Sequence, residues 1–344
     1  MQIQQQEAQS HNKDHNNKDI NDNCNRYKDI IAAVGLRKEH LIFPVFVSGR
    51  HVTTIHSMPG MSITPIKKIS DHIQSIIDAG ISSIIIFGIP KTRDAQGSQA
   101  LDSNNNGTGN GGGIVQQAIK AIKANFGNSI NIISDVCVCQ YNLSGHCGVV
   151  IRNGKVDNDA TLKTLAEIAV SHANAGTDMV APSSMMDGQV QAIRSALDKS
   201  NFKTIRILSH SAKHSSSLYS PFRSAAFSSK ARHQNIDKSS YQVSYTNPRQ
   251  VLMEIEIDIK EGADMVMIKP ALAYLDLVRM VKDRYKFPVA VQNVSGEYAM
   301  IKAAAMHRLI DEEEWKVYSI ASIKRAGADK IISYFSLDVV KYTQ

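Results

Sequence analysis

Apolar and polar positions vary along this chain with two recurring periods. Short runs rich in β-branched residues occur at LIFPVFV (41–47), SSIIIFG (82–88), INIISDV (130–136), DMVAPS (178–183), TIRILSH (204–210), DMVMIK (264–269), PVAVQNV (288–294) and KIISYF (330–335). Most are continuously apolar rather than alternating, as parallel strands covered on both faces should be. Between them, apolar residues at three- and four-residue spacing predict helices in KKISDHIQSIIDA, TLKTLAEIAVSHANA, GQVQAIRSALDKS, QVLMEIEIDIKE, YLDLVRMVKDRY and EEEWKVYSIASIKRA. An internal echo links the two patterns. DAGISSIIIFG, NAGTDMVAPS, KEGADMVMIKP and RAGADKIISYF each place a glycine suited to a helix C-cap (Gly80, Gly176, Gly262, Gly327) shortly before a strand. Eight strands interleaved with helices predict an α/β fold, a (β/α)8 TIM barrel. An open doubly wound sheet is the competing architecture, but the phosphate-cradling motifs of nucleotide folds are missing.

The barrel is expected to occupy residues 41–344 as a single catalytic domain. Residues 1–28 are rich in Gln, Asn, His and Lys and read as a disordered polar tail, with 29–40 as an N-terminal arm. DSNNNGTGNGGG at 102–113 reads as an expanded loop. The serine-rich basic stretch 214–242 reads as a lid over an active site.

With 344 residues, 43% of them hydrophobic, the chain can bury a large core. No stretch approaches the roughly 20 apolar residues of a membrane helix. No apolar signal core opens the sequence, so the cytoplasm is the expected location. The net charge of +7 is scattered and not interleaved with aromatics, which argues against nucleic acid and suits small acidic substrates.

The chemistry concentrates at strand ends. Lys213 follows TIRILSHSA and Lys269 follows DMVMI. An imine-forming lysine must present a neutral amine, although free lysine titrates near pKa ~10.4. Burial or a neighbouring cation lowers that value to roughly 7–8. Two lysines in one barrel mouth would activate each other, and two imines imply two carbonyl substrates; ordinary rim lysines are the alternative. Cys137, Cys139 and Cys147 stand at Cys-x-Cys-x7-Cys spacing. Three thiolates make a soft site suited to zinc, with a coordination position left open for water or substrate. His146 reads as a neighbour of the site rather than a ligand. Asp135 reads as an orienting or proton-accepting group, or as a strand-end cap. Arg223 and Lys238 in the lid, and Ser295 and Tyr334 after the last two strands, are candidate carboxylate contacts.

Together these residues resemble the porphobilinogen synthase (5-aminolevulinate dehydratase) family. The matching stretches include SDVCVCQYNLSGHCG, APSSMMDGQVQAIR, LYSPFR, GADMVMIKPALAYLD and VSGEYAMIKAAA. The resemblance implies a hydro-lyase of tetrapyrrole and heme synthesis. It condenses two 5-aminolevulinate molecules per site to porphobilinogen, losing two waters. It implies that Lys269 forms the imine with the P-site substrate and Lys213 with the A-site substrate. It assigns Cys137, Cys139 and Cys147 to catalytic zinc, Ser295 and Tyr334 to the P-site carboxylate, and Arg223 and Lys238 to the A-site carboxylate. Glu254 matches a carboxylate that holds an allosteric magnesium between subunits in part of the family; a helix-surface glutamate is the alternative. The family is typically a homo-octamer with an arm wrapping a neighbour. Two departures stand out. Lys238 replaces a common arginine, and His210 and His214 replace common aromatics beside Lys213, where they could shift its pKa. Two rival readings are a class I imine-forming aldolase on the same barrel and a non-catalytic, zinc-stapled oligomer.

Overall fold

In a computed structural model, residues 22–101, 113–151, 154–226 and 237–343 are described. All eight predicted runs are strands: β1 Leu41–Ser48, β2 Ser83–Ile89, β3 Asn131–Val136, β4 Met179–Pro182, β5 Arg206–Lys213, β6 Met265–Lys269, β7 Val289–Asn293 and β8 Lys330–Ser333. Each pairs in parallel with its sequence neighbour. Pairing of Leu41 with Ile331 and Ile42 with Ile332 closes β8 onto β1. The fold is therefore a closed (β/α)8 barrel. All eight residues of β1 are buried, as a strand between barrel interior and helical shell must be.

The six predicted helices are present, and Ile114–Phe126 and Ser295–Met306 complete the shell. Gly80, Gly176, Gly262 and Gly327 all have positive φ, the backbone state that ends a helix and costs glycine least. The echo has a second function. Asp178, Asp264 and Asp329 stand two residues beyond the last three of these glycines. The carboxylate of each accepts the first or second amide of the neighbouring strand, at Ile132, Ile207 and Val289, at 2.7, 2.8 and 2.8 Å. The backbone N–H of each aspartate donates to the carbonyl of that same residue. Each glycine thus turns the chain out of a helix, and each aspartate sets the register of the strand that follows. Lys123 and Lys282 add ion pairs to Asp178 and Asp329.

The expected boundary between tail and arm at residue 28 falls inside a helix, since residues 22–33 are helical. Tyr27 is buried and meets Tyr342 edge to face, and Arg26 pairs with Glu314. This segment therefore docks on the barrel's own C-terminal elements. Most of the polar tail (1–21), nearly all of the Asn/Gly-rich insert (102–112) and the centre of the lid (227–236) lie outside the described residues. None of the described helices is long and apolar enough to cross a membrane.

Asp178→Ala removes one register clamp and leaves the Ile132 amide without its carboxylate partner. Denaturation at fixed protein concentration should show a loss of about 1–3 kcal/mol; an unchanged midpoint would refute the role given to the echo.

Candidate active site

Every barrel strand points its C-terminal end to the same rim, so residues at or just after those ends converge. Register decides the central contact. Lys213 is the last residue of β5, Lys269 is the last of β6, and the two are lateral partners across the ladder. Both are almost fully buried. They line one cavity with Asp135 and Gln140 from the end of β3, Tyr219, Phe222 and Arg223 from the segment after β5, and Lys238. Gln292, Ser295 and Tyr334 line it from the ends of β7 and β8.

The two amines differ in environment. Lys269 Nζ lies 3.0 Å from Gln292 Oε1 and 5.9 Å from the centre of the Tyr219 ring. Its pKa is lowered to about 7, first by burial and then by the Lys213 charge. Lys213 Nζ donates to the Ser183 carbonyl at 2.6 Å and lies 3.7 Å from Cys147 Sγ. Burial works against its charge as well, but the sulfurs of Cys147, Cys137 and Cys139, with Asp135, outweigh it and raise the pKa. Mutual activation of the pair is therefore one-sided: Lys213 lowers Lys269 and is itself held cationic by sulfur. Nor do His210 and His214 govern Lys213. Burial pushes both imidazoles down, toward the neutral form. His214 stacks on Tyr274 at 3.7 Å, and its ring meets the Lys269 carbonyl at 3.2 Å. His210 is buried in the barrel, with neither ring nitrogen hydrogen-bonded among the described residues.

The three cysteines are buried, and their sulfurs lie within 4.8 Å of one another. Thiol hydrogen bonds from Cys137 and Cys139 hold Cys147 well below its ordinary pKa, and Lys213 and Lys238 reinforce the shift. Lys238 Nζ is 3.3 Å from Cys147 Sγ. Three converging soft donors, one poised as thiolate, suit a thiophilic metal ion. His146 is not part of this cluster. Its ring meets the Tyr241 hydroxyl at 3.1 Å, and that hydroxyl also accepts the Cys147 amide at 3.2 Å.

Arg223 lies 5.9 Å over the Tyr219 ring. The Tyr334 hydroxyl is buried and has no hydrogen-bond partner among the described residues. Ser295 is already engaged: its Oγ donates to the Leu218 carbonyl and accepts the Phe222 amide, at 3.2 and 3.0 Å. Gly296 permits this approach, because a Cβ there would lie 2.5 Å from Leu218 backbone atoms. Glu254 stands apart from the cavity. It lies on helix Pro248–Lys260 with its pKa raised by partial burial and then by Asp258 and Asp187. Sequence reading missed Gln292 and Tyr219. Gln292 left a signal as a polar residue inside the apolar run PVAVQNV; Tyr219 stands in the matching stretch LYSPFR, where only Arg223 carried a role.

The family model for delta-aminolevulinic acid dehydratase matches residues 18–342. This chain belongs to the delta-aminolevulinic acid dehydratase family. The dehydratase of Archaeoglobus fulgidus is 45% identical over 312 residues, covering 90% of this chain and 92% of that protein. The dehydratase of Methanothermus sociabilis is also 45% identical, over 92% of this chain and 95% of its own. A crystal structure of the Toxoplasma gondii dehydratase (porphobilinogen synthase), in complex with the reaction product porphobilinogen, superposes with a TM-score of 0.83. It is 35% identical and covers 89% of this chain and 85% of that one. The dehydratase barrel is thus common to both.

Cobalt(II) added to the reduced protein should produce sulfur-to-metal charge-transfer absorption, and Cys147→Ser should remove it. A band of equal intensity in that variant would exclude Cys147 from the ligand set.

Proposed function

We propose that this chain condenses two molecules of 5-aminolevulinate to porphobilinogen, releasing two waters. One observation carries the reading. Two buried lysines sit side by side at adjacent strand ends, in one cavity beside three converging sulfurs. Two amines in one cavity can hold two ketones at once, one as an imine on each lysine.

Lys269 is the better nucleophile, since about half of it is neutral at its shifted pKa near 7. Its Nζ attacks the ketone carbon of the first substrate, a C–N bond forms, and the ketone oxygen leaves as water. The resulting imine draws electrons from the adjacent carbon. Gln292 accepts a hydrogen bond from the amine and orients it. Tyr219 OH donates to the Lys269 carbonyl at 3.2 Å, anchoring the backbone from which the nucleophile projects. Tyr334, whose hydroxyl has no partner among the described residues, and Ser295, once its hydroxyl turns from the Leu218 carbonyl, take the carboxylate of this substrate. With a metal ion on the three sulfurs offsetting the thiolate charge that holds it cationic, Lys213 takes the second ketone as the neutral amine, and that ketone's carboxylate meets Arg223 and Lys238. Closing the ring forms one C–C and one C–N bond between the substrates, the second ketone oxygen leaves as the second water, and the C–N bonds to Lys269 and Lys213 break to return both amines. Asp135 faces the same cavity with its pKa raised by burial, and is placed to receive protons as the ring aromatises. Cys137, Cys139 and Cys147 hold zinc. When bound, that ion supplies a Lewis acid beside the second substrate. We further propose a homo-octamer in which the N-terminal arm contacts a neighbouring barrel, with Glu254 as a candidate magnesium ligand.

Pyrrole formation from 5-aminolevulinate in zinc-replete buffer tests the reaction. Lys269→Met should lower the rate by at least about 10³-fold, and removal of metal by a chelator should abolish it reversibly. No pyrrole from the wild-type chain would end the proposal, whereas activity that survives complete metal removal would end only its zinc component. The pH dependence has a defined sign. The cationic amine cannot attack, so imine capture at Lys269 should rise through about pH 7 and level off above it. A capture rate still climbing at pH 10 would mean that burial does not lower this lysine.

A further inference from the structure

Glu297 is an almost fully buried carboxylate, with only 1% of its surface exposed, and no reaction step above uses it. It is the third residue of helix Ser295–Met306 and accepts the Val294 amide at 2.6 Å. That contact alone would be an ordinary helix cap. Its other bonds leave the helix. Oε1 and Oε2 accept the Ala271 amide at 3.0 and 3.2 Å, and Oε1 accepts the Leu272 amide at 2.5 Å. Ala271 and Leu272 follow Lys269 and Pro270 directly, while Val294 immediately precedes Ser295. One side chain therefore binds the backbone just beyond β6 and just beyond β7. A cap needs neither the burial nor the distant donors. Burial pushes the carboxyl up to about 7, against the pull of the amides of Leu272, Val294 and Ala271. The neighbouring residues extend the junction. Ser295 bonds the Leu218 carbonyl and the Phe222 amide, and Gly296 lies against the Leu218 backbone. The segments after β5, β6 and β7 thus meet at 294–297.

We propose that Glu297 is a positioning residue that fixes the distance between the amine of Lys269 and the carboxylate contact at Ser295. The inference rests on the roles given to those two residues above. A 4-oxo acid has a fixed number of bonds between its ketone carbon and its carboxylate. It can use both contacts at once only if the two rim segments keep their spacing. A ketone without the carboxylate needs only the amine. Displacing the segments by about 1 Å is enough to lose on the order of 10²-fold in rate for a substrate that spans them. The same displacement leaves the shorter recognition task nearly untouched.

The test measures borohydride-trapped adduct at Lys269 with levulinate (4-oxopentanoate) and with 2-pentanone, which has the same carbon chain and no carboxylate. Glu297→Gln replaces an acceptor oxygen with a donor that faces backbone amides; Glu297→Asp keeps the charge one methylene short. Circular dichroism and thermal melting establish folding first. Wild type should favour levulinate. In either folded variant that preference should fall at least tenfold, with 2-pentanone capture changing less than about threefold. Equal loss for both ketones, or an unchanged preference, overturns the inference and leaves the reading of Lys269 intact. Failure of both variants to fold also overturns it, by assigning Glu297 to the scaffold. A wild-type protein that traps neither ketone, or traps both equally, refutes the underlying roles of Lys269 and Ser295 instead.

Discussion

The lateral pairing of β5 with β6 is the constraint on which the site depends. A parallel ladder fixes which residues stand side by side, and here it sets Lys213 beside Lys269 at the rim. A shift of one residue would turn one of the amines toward the helical shell, because successive strand side chains face opposite sides. The aspartate clamps fix the opposite ends of the strands, and a one-residue register shift between Val266 and Ile268 brings the rim into this alignment. Asp264 fixes the start of β6 against Ile207 in β5. The lysine pairing at the rim therefore depends on that one-residue shift as well as on the carboxylate at the other end of the strands.

Placing two amines in one buried cavity is electrostatically unfavourable, and the fold resolves this by making their surroundings unequal. The sulfurs and Asp135 stabilise the cation at Lys213. Lys269 sits farther along the rim against Gln292 and the Tyr219 ring, and the remaining repulsion falls on it. The result is one amine ready to attack near neutral pH and one that stays charged while Cys147 is a thiolate. An order of events follows from that asymmetry, with the first covalent capture at Lys269.

Much of the scaffold was legible in the sequence because its signals are local. Continuous apolar runs marked the strands, and the glycines Gly80, Gly176, Gly262 and Gly327 marked helix ends through a backbone conformation that depends on one residue. Lysines and cysteines at strand ends were conspicuous for the same reason. Helix Ile114–Phe126 was missed although its apolar spacing is regular, since it emerges directly from the Asn/Gly-rich insert. The start of the first helix is hidden because 22–28 is polar in composition, yet Tyr27 finds a buried partner at the far end of the chain. Side chains whose work is to join separate loops left the weakest trace. Tyr219 acts through the Lys269 carbonyl fifty residues away, and Glu297 through amides at Ala271 and Leu272. Nothing in the local pattern reveals such contacts. The inequality of the two lysines was likewise invisible, because it depends on which one the sulfurs approach.

The account stands most directly on which amine is captured first. Wild-type protein given one equivalent of 5-aminolevulinate near pH 8 and reduced with borohydride would be digested and mapped by mass spectrometry. The reduced adduct is expected on the peptide containing Lys269, with Lys213 unmodified. An adduct confined to Lys213, or on neither lysine, would contradict the division of labour derived from the geometry.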